Sequence, residues 1–199
     1  MRLADVPIPT TTAARAAEEV ATAYCSAALA NHSVRSYLFA VGFAEAGGLQ
    51  PDLELLWVAA LLHDVGLVAA FDNVSRPFEV AGGDVAWVLA AGAGWPADRR
   101  RRAAEVIERH MWTSVDPALD VEGHLLEVAT GLDISGSRTG VLPQAFLHEV
   151  LAAHPRLDLG AEFTERQEDQ AARKPTSAAC RLVSAGLAAR MRAHPLEAD

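Results

Sequence analysis

Lysine is almost absent from this 199-residue chain, with Lys174 the only one, and 26 acidic residues against 17 basic ones leave a net charge of −9. A broad nucleic-acid footprint draws its affinity from Lys and Arg on phosphates, so this balance speaks against nucleic acid as a partner. The run DRRRR at 98–102 is a local exception and reads as the solvated first turn of a helix. Cysteine is nearly absent too. Cys25 and Cys180 stand far apart and form no CxxC pair, which argues against a zinc knuckle or a disulfide framework and fits a reducing, cytoplasmic setting. The opening MRLADVPIPTTTAARAAEEV lacks the basic-then-apolar layout of a signal peptide, and no stretch is long and charge-free enough to span a bilayer, so no membrane partner is expected. Strand-like alternation is also scarce.

What remains is apolar and helix-forming. Hydrophobic residues make up 51% of the chain, enough for one sizeable core. Ala, Leu, Glu and Arg dominate the segments between Gly and Pro punctuation, which predicts helices over 11–29, 32–46, 52–63, 77–91, 97–111, 121–134, 143–153, 160–173 and 177–192. The expected fold is all-α and single-domain. DLELLWVAALLHD differs from the other helices because it is apolar on nearly every side, whereas a surface helix shows a stripe. It reads as the central helix of a bundle, with the others packed around it. The C-terminal helix, SAACRLVSAGLAARM, is apolar enough to pack on its own core or to make a homo-oligomer.

That central helix ends on His63 and Asp64, just before Gly66. A carboxylate at a helix C-terminus opposes the helix dipole, and a bound cation removes the conflict. His32 falls in the first turn of a helix for which Asn31 is the expected N-cap. Asp133 follows Leu126 by seven and Ala129 by four, which places it on an apolar face where an unpaired carboxylate is expensive to desolvate. His110 shares a face with Ala103, Val106 and Ile107 and also points inward. Two imidazoles and two carboxylates, His32, His63, Asp64 and Asp133, form a nitrogen and oxygen set suited to Zn, Fe, Mn or Ni.

In this order the residues resemble the H…HD…D pattern of the HD-domain superfamily of metal-dependent, all-helical hydrolases. NHSVRSYLF, LLHDVGL, PFEVAGG, VIERH, VATGLDISG, HPR and the late KP are similar to the cyanamide hydratase-like branch. The likeness runs from about residue 8 to about residue 185. It implies one HD domain over 1–199, with a metal-binding core at about 30–135 and C-terminal helices at about 143–192. It also implies one divalent ion, zinc first, held by His32, His63, Asp64 and Asp133. Lys174-Pro175 leads here into Thr176, Ser177 and Ala178, where the branch continues with an aromatic and a histidine; this departure lies on the substrate side, away from the metal.

Around such an ion, Glu79 is the expected proton shuttle, and His110 an acid/base, a further ligand or a core histidine. Arg35, three residues after His32, either binds a substrate anion or holds an Asp ligand. Arg35, Phe78 and Lys174 are expected to face the substrate. His110 and His124 occupy the interval in which dinuclear HD proteins carry two further histidines, although the hydratase-like likeness favours one metal. The leading function is a hydratase or hydrolase that adds metal-activated water to a small molecule at a C–N centre. A phosphohydrolase of nucleotides or phosphomonoesters is the alternative, and a non-catalytic metal-bearing module is a third.

Overall fold

A computed structural model describes residues 1–196, and among these every regular element is helical. The helices are α1 (Thr12–Tyr24), α2 (Ala27–Gly47), α3 (Leu53–Leu62), α4 (Phe78–Gly92), α5 (Ala97–Arg109), α6 (Val121–Ser135), α7 (Gln144–Ala153), α8 (Leu159–Arg173), α9 (Ala178–Ser184) and α10 (Leu187–Arg192). Side-chain oxygens of Thr11, Ser26, Asp52, Asp120 and Ser177 cap α1, α2, α3, α6 and α9, each satisfying a backbone N–H that the first turn leaves without a partner.

The expectation for α3 is met. Every residue from Leu55 to Leu62 is buried, and α1, α2, α4, α5 and α6 all pack on it. Two apolar clusters result. The larger gathers α3 with the inner faces of α1, α2, α5, α6 and α7. The smaller joins Leu159 and Phe163 of α8, Ala179 of α9, and Leu187 and Met191 of α10 to Leu29, Leu67, Phe78 and Ile134. His63 follows the larger cluster's Leu62, while Phe163 of the smaller cluster lies edge-on to His32 with ring centroids 6.0 Å apart. The polar end of α3 thus lies between the two.

Two boundaries differ from the sequence reading. The segment read as a helix over 11–29 breaks at Cys25, and a new helix starts at Ala27, because Ser26 accepts from Leu29 N while donating to Glu162 Oε2 at 2.6 Å. Asn31 is therefore inside α2 rather than its N-cap, and its amide donates to the Pro155 carbonyl at 2.8 Å. The segment read as one helix over 177–192 turns at Gly186, whose φ of 86° is a left-handed conformation that glycine adopts without strain.

Candidate metal centre

α3 stops at His63, still in helical geometry, and Asp64 follows at φ −104°, ψ 3°, which starts a short 3₁₀ turn over Val65–Leu67. The turn is clamped against α4 by two glycines. A Cβ on Gly66 would lie 2.1 Å from the Phe78 carbonyl oxygen, and one on Gly82 would lie 2.9 Å from that of Leu62. Both contacts are backbone, so no rotamer change relieves them. These glycines hold the start of α4, with Glu79, against the His63-Asp64 corner.

His32 Nε2, His63 Nε2 and Asp64 Oδ2 converge there at 3.1, 3.3 and 3.2 Å from one another, and all three residues are fully buried. The other ring nitrogens set what these atoms carry. His63 Nδ1 lies 2.7 Å from the Ala60 carbonyl and His32 Nδ1 lies 2.6 Å from Asp133 Oδ2, so both Nδ1 atoms donate and both Nε2 atoms present lone pairs. Neither oxygen of Asp64 has a hydrogen bond. Three electron-rich atoms facing one another in a dry interior repel unless a cation lies among them. A tetrahedral ion with bonds of about 2.0–2.1 Å separates its ligand atoms by about 3.3 Å, which these spacings match. Among the described residues, His32, His63 and Asp64 form the one group of His, Cys, Asp or Glu side chains close enough to share an ion.

Asp133 stands one step further out. Arg35 donates to it from Nε at 2.9 and 3.1 Å and from Nη2 at 2.7 Å, and Arg156 from Nη1 at 3.0 Å. With His32 Nδ1–H also bonded to it, its oxygens are occupied. Of the four residues expected as ligands, three converge, whereas Asp133 lies behind His32, orienting the ring and raising its basicity. Burial opposes ionisation of Asp133, but the Arg35 charge and the His32 bond hold its carboxyl well below the usual range. Burial likewise works against charge on Asp64, and His63 and His32 together outweigh it. His32 is subject to the same burial, yet the two carboxylates raise it above an ordinary imidazole.

The remaining expected residues divide. Arg35 is fully buried and spends its other N–H groups on the carbonyls of His154 and Pro155, so it holds Asp133 and does not face a substrate. Phe78 is also fully buried, packed on the His110 ring at 5.8 Å in the smaller cluster. Lys174 Nζ bonds Asp72 Oδ1 at 3.0 Å and Gln170 Oε1 at 2.5 Å, tying the end of α8 to the 68–77 loop. None of the three lines the cavity over the cluster, which corrects their assignment to substrate; their polar or apolar ends were already committed to the protein's own packing. His124 is turned away, with Nδ1 on the Val115 carbonyl at 2.8 Å.

His110 Nδ1 donates to the Ile107 carbonyl, which leaves Nε2 facing Asp64 Oδ1 at 3.8 Å. Burial pushes the His110 imidazole down to about 3, so it stays neutral. Glu79 is buried beside this corner with Oε2 unbonded, and burial raises its carboxyl above the ordinary value.

The cluster opens into a cavity of about 540 Å³ whose floor is His32, His63, Asp64 and His110. Its walls bring in residues that the sequence reading passed over: Trp112, Glu127, Phe163, Arg181 and Arg190. Gln167, one turn after Phe163, is fully buried with neither amide atom bonded. Its sequence signal was its place four residues after Phe163 on the same helix face.

Residues 29–129 match the HD domain family, a span that covers His32, His63, Asp64, Glu79 and His110. The chain belongs to the HD domain family. HD-domain proteins bind divalent metals, and the lone-pair cluster at the end of α3 has the geometry to hold one. Two yeast proteins from Saccharomyces cerevisiae, cyanamide hydratases DDI2 and DDI3, are each 28% identical to this chain over 174 residues, covering 85% of the chain and 77% of theirs. Among the described residues, no helix is long and apolar enough to cross a membrane.

Proposed function

We propose that this HD-domain protein is a cytoplasmic hydratase or hydrolase that adds water to a small molecule at a C–N centre, using one divalent ion, zinc first, on His32, His63 and Asp64. The observation that carries the reading is the convergence of three buried lone-pair atoms at the floor of an open cavity. Its direction towards C–N chemistry rests on the likeness to the yeast cyanamide hydratases.

A bound divalent ion supplies Lewis acidity and lowers the pKa of water at the site towards about 7. The chain's own groups do the rest. Asp133, gripped by Arg35 and Arg156, fixes the His32 ring. The Met111, Trp112 and Phe163 walls limit bulk water. Glu79, whose carboxyl is raised by burial, takes a proton from the attacking water and returns one to the substrate nitrogen. In cyanamide hydration a C–O bond forms as a C–N π bond becomes N–H, and the product is urea. His110, kept neutral by burial with Nδ1 donating to the Ile107 carbonyl, orients water as a hydrogen-bond acceptor through Nε2.

The test is turnover of cyanamide, simple nitriles and amidines by metal-loaded and chelator-treated protein. Urea formation that disappears with the chelator and returns with zinc is expected. Robust hydrolysis of nucleoside monophosphates, with none of any C–N compound, would move the assignment to the phosphohydrolase reading.

A further inference from the structure

Two arginines on the cavity over the cluster, Arg181 exposed and Arg190 partly buried, make no ion pair among the described residues, and Arg181 has Glu79 as the acid it acts on. Both line the cavity, and among the described residues no carboxylate lies within ion-pair distance of either one, in a chain where acidic residues outnumber basic ones 26 to 17. Arg102, Arg109, Arg166 and Arg173, by contrast, all lie in ion pairs at 2.8 Å or less. Arg190 is held with its Nε buried and unbonded, and its single hydrogen bond runs from Nη2 to the Leu182 carbonyl at 3.5 Å. A buried guanidinium N–H without an acceptor is costly to keep.

The backbone sets this arrangement. The left-handed turn at Gly186 folds α10 back along α9, and that fold brings Arg190 to the same cavity as Arg181. The volume points the same way. Cyanamide has three heavy atoms, whereas about 540 Å³ lies in the range of pockets that hold far larger ligands. Asp64 and Glu127 on the lining and Glu79 beside the corner are the nearby acids, so two arginines and a divalent ion still leave at least one positive charge unmatched. Glu127 stays next to Arg138, at 3.7 Å, with its Oε2 unbonded and open to a donor group.

We infer that the substrate carries an oxyanion, a carboxylate or a phosphate, at the end remote from the reacting C–N centre, and that Arg181 and Arg190 bind it. This rests on the C–N reading for the reacting end only. Guanidinium forks match both oxyanions in geometry and charge. Met111, Ile134, Phe163 and Leu182 on the same lining suit a short hydrocarbon spacer.

The metal-loaded enzyme should be tested with 4-cyanobutanoate, 3-cyanopropylphosphonate and the uncharged 4-cyanobutanamide. The anions should exceed the amide in kcat/KM by about tenfold or more, the effect lying in KM. In Arg181→Gln and Arg190→Gln that ratio should fall towards one. Binding of glutarate and propylphosphonate, followed by calorimetry, gives a readout that needs no turnover. Both should bind the wild type and be weakened about tenfold or more in Arg181→Gln, with the tighter of the two naming the oxyanion. If Arg190→Gln fails to fold, Arg190→Lys keeps the charge and should retain glutarate binding. Equal kcat/KM for the nitrile acid and its amide, with cyanamide turned over, would overturn the anion site and leave the C–N reading standing. Anion binding lost in Arg181→Gln, with no C–N compound turned over, would do the reverse.

Discussion

Asp64 and Asp133 are both buried aspartates at helix C-termini next to His32, and their surroundings are opposite. Asp133 has His32, Arg35 and Arg156 on its oxygens; Asp64 has no hydrogen bond at all. Burial is equal, so desolvation alone does not separate them. The difference lies in what the protein leaves undone. A carboxylate already matched by two guanidinium groups is a structural anchor, while one left open beside two imidazole lone pairs is a place for a cation.

The largest expected effect breaks that contrast directly. Asp64→Ala should reduce metal to background, read by elemental analysis of the purified protein, and activity with it, while the metal-free fold survives because an uncompensated charge has been removed. Asp133→Ala should instead leave the buried Arg35 without its carboxylate, costing about 3–5 kcal/mol in denaturant unfolding. Equal destabilisation by the two changes would mean that Asp64 has a structural partner after all.

Next in size is Glu79→Gln. Turnover should fall about 10²–10⁴-fold with metal content kept. Its folded carboxyl is raised, so in the metal-free protein stability declines as pH rises from the unfolded value through the folded one. Glu79→Gln should therefore be more stable than the parent at neutral pH and equal to it in acid. Full activity would move the proton transfer to His110, and metal loss would place Glu79 among the ligands.

Arg35→Lys keeps a charge on Asp133 but loses the forked contact, and should weaken metal retention by about 10–100-fold in a chelator competition. Asp120 supplies the smallest effect and a control. It is also buried and saturated, bonded by Arg102, Arg109 and Gly123 N, but it caps α6 far along the chain from the metal corner. Asp120→Ala should cost about 1–3 kcal/mol with metal binding unchanged. The Asp120 carboxyl is opposed by burial yet held below its usual range by Arg102 and Arg109, so its contribution is full above the unfolded pKa of about 3.9 and is lost as pH falls through the folded one.

Part of this was legible in the linear chain. The all-helical fold, the central place of α3 and the inward direction of His32, His63, Asp64 and His110 follow from apolar periodicity, a local property of consecutive residues. Charge pairing does not follow from it. Arg35 reads equally well as a substrate clamp or an Asp holder until His154 and Pro155 arrive to take its other N–H groups. Lys174 looks free until Asp72, about a hundred residues earlier, meets it. The break at Cys25 carries no Gly or Pro signal, because the Glu162 carboxylate on α8 that receives the Ser26 hydroxyl is distant in sequence.

The sequence by itself thus determined which residues are buried and that a polar pair ends the most apolar helix, since burial follows from hydrophobic patterning along a single segment. Only the tertiary structure decided the roles of those polar residues. It closed Asp133 with two arginines, left Asp64 open, and turned α10 at Gly186 so that Arg181 and Arg190 face the same cavity. The reason is that a buried charge takes its function from its partners, and those partners come from distant parts of the chain, Arg35 from α2 and Arg156 from the loop before α8.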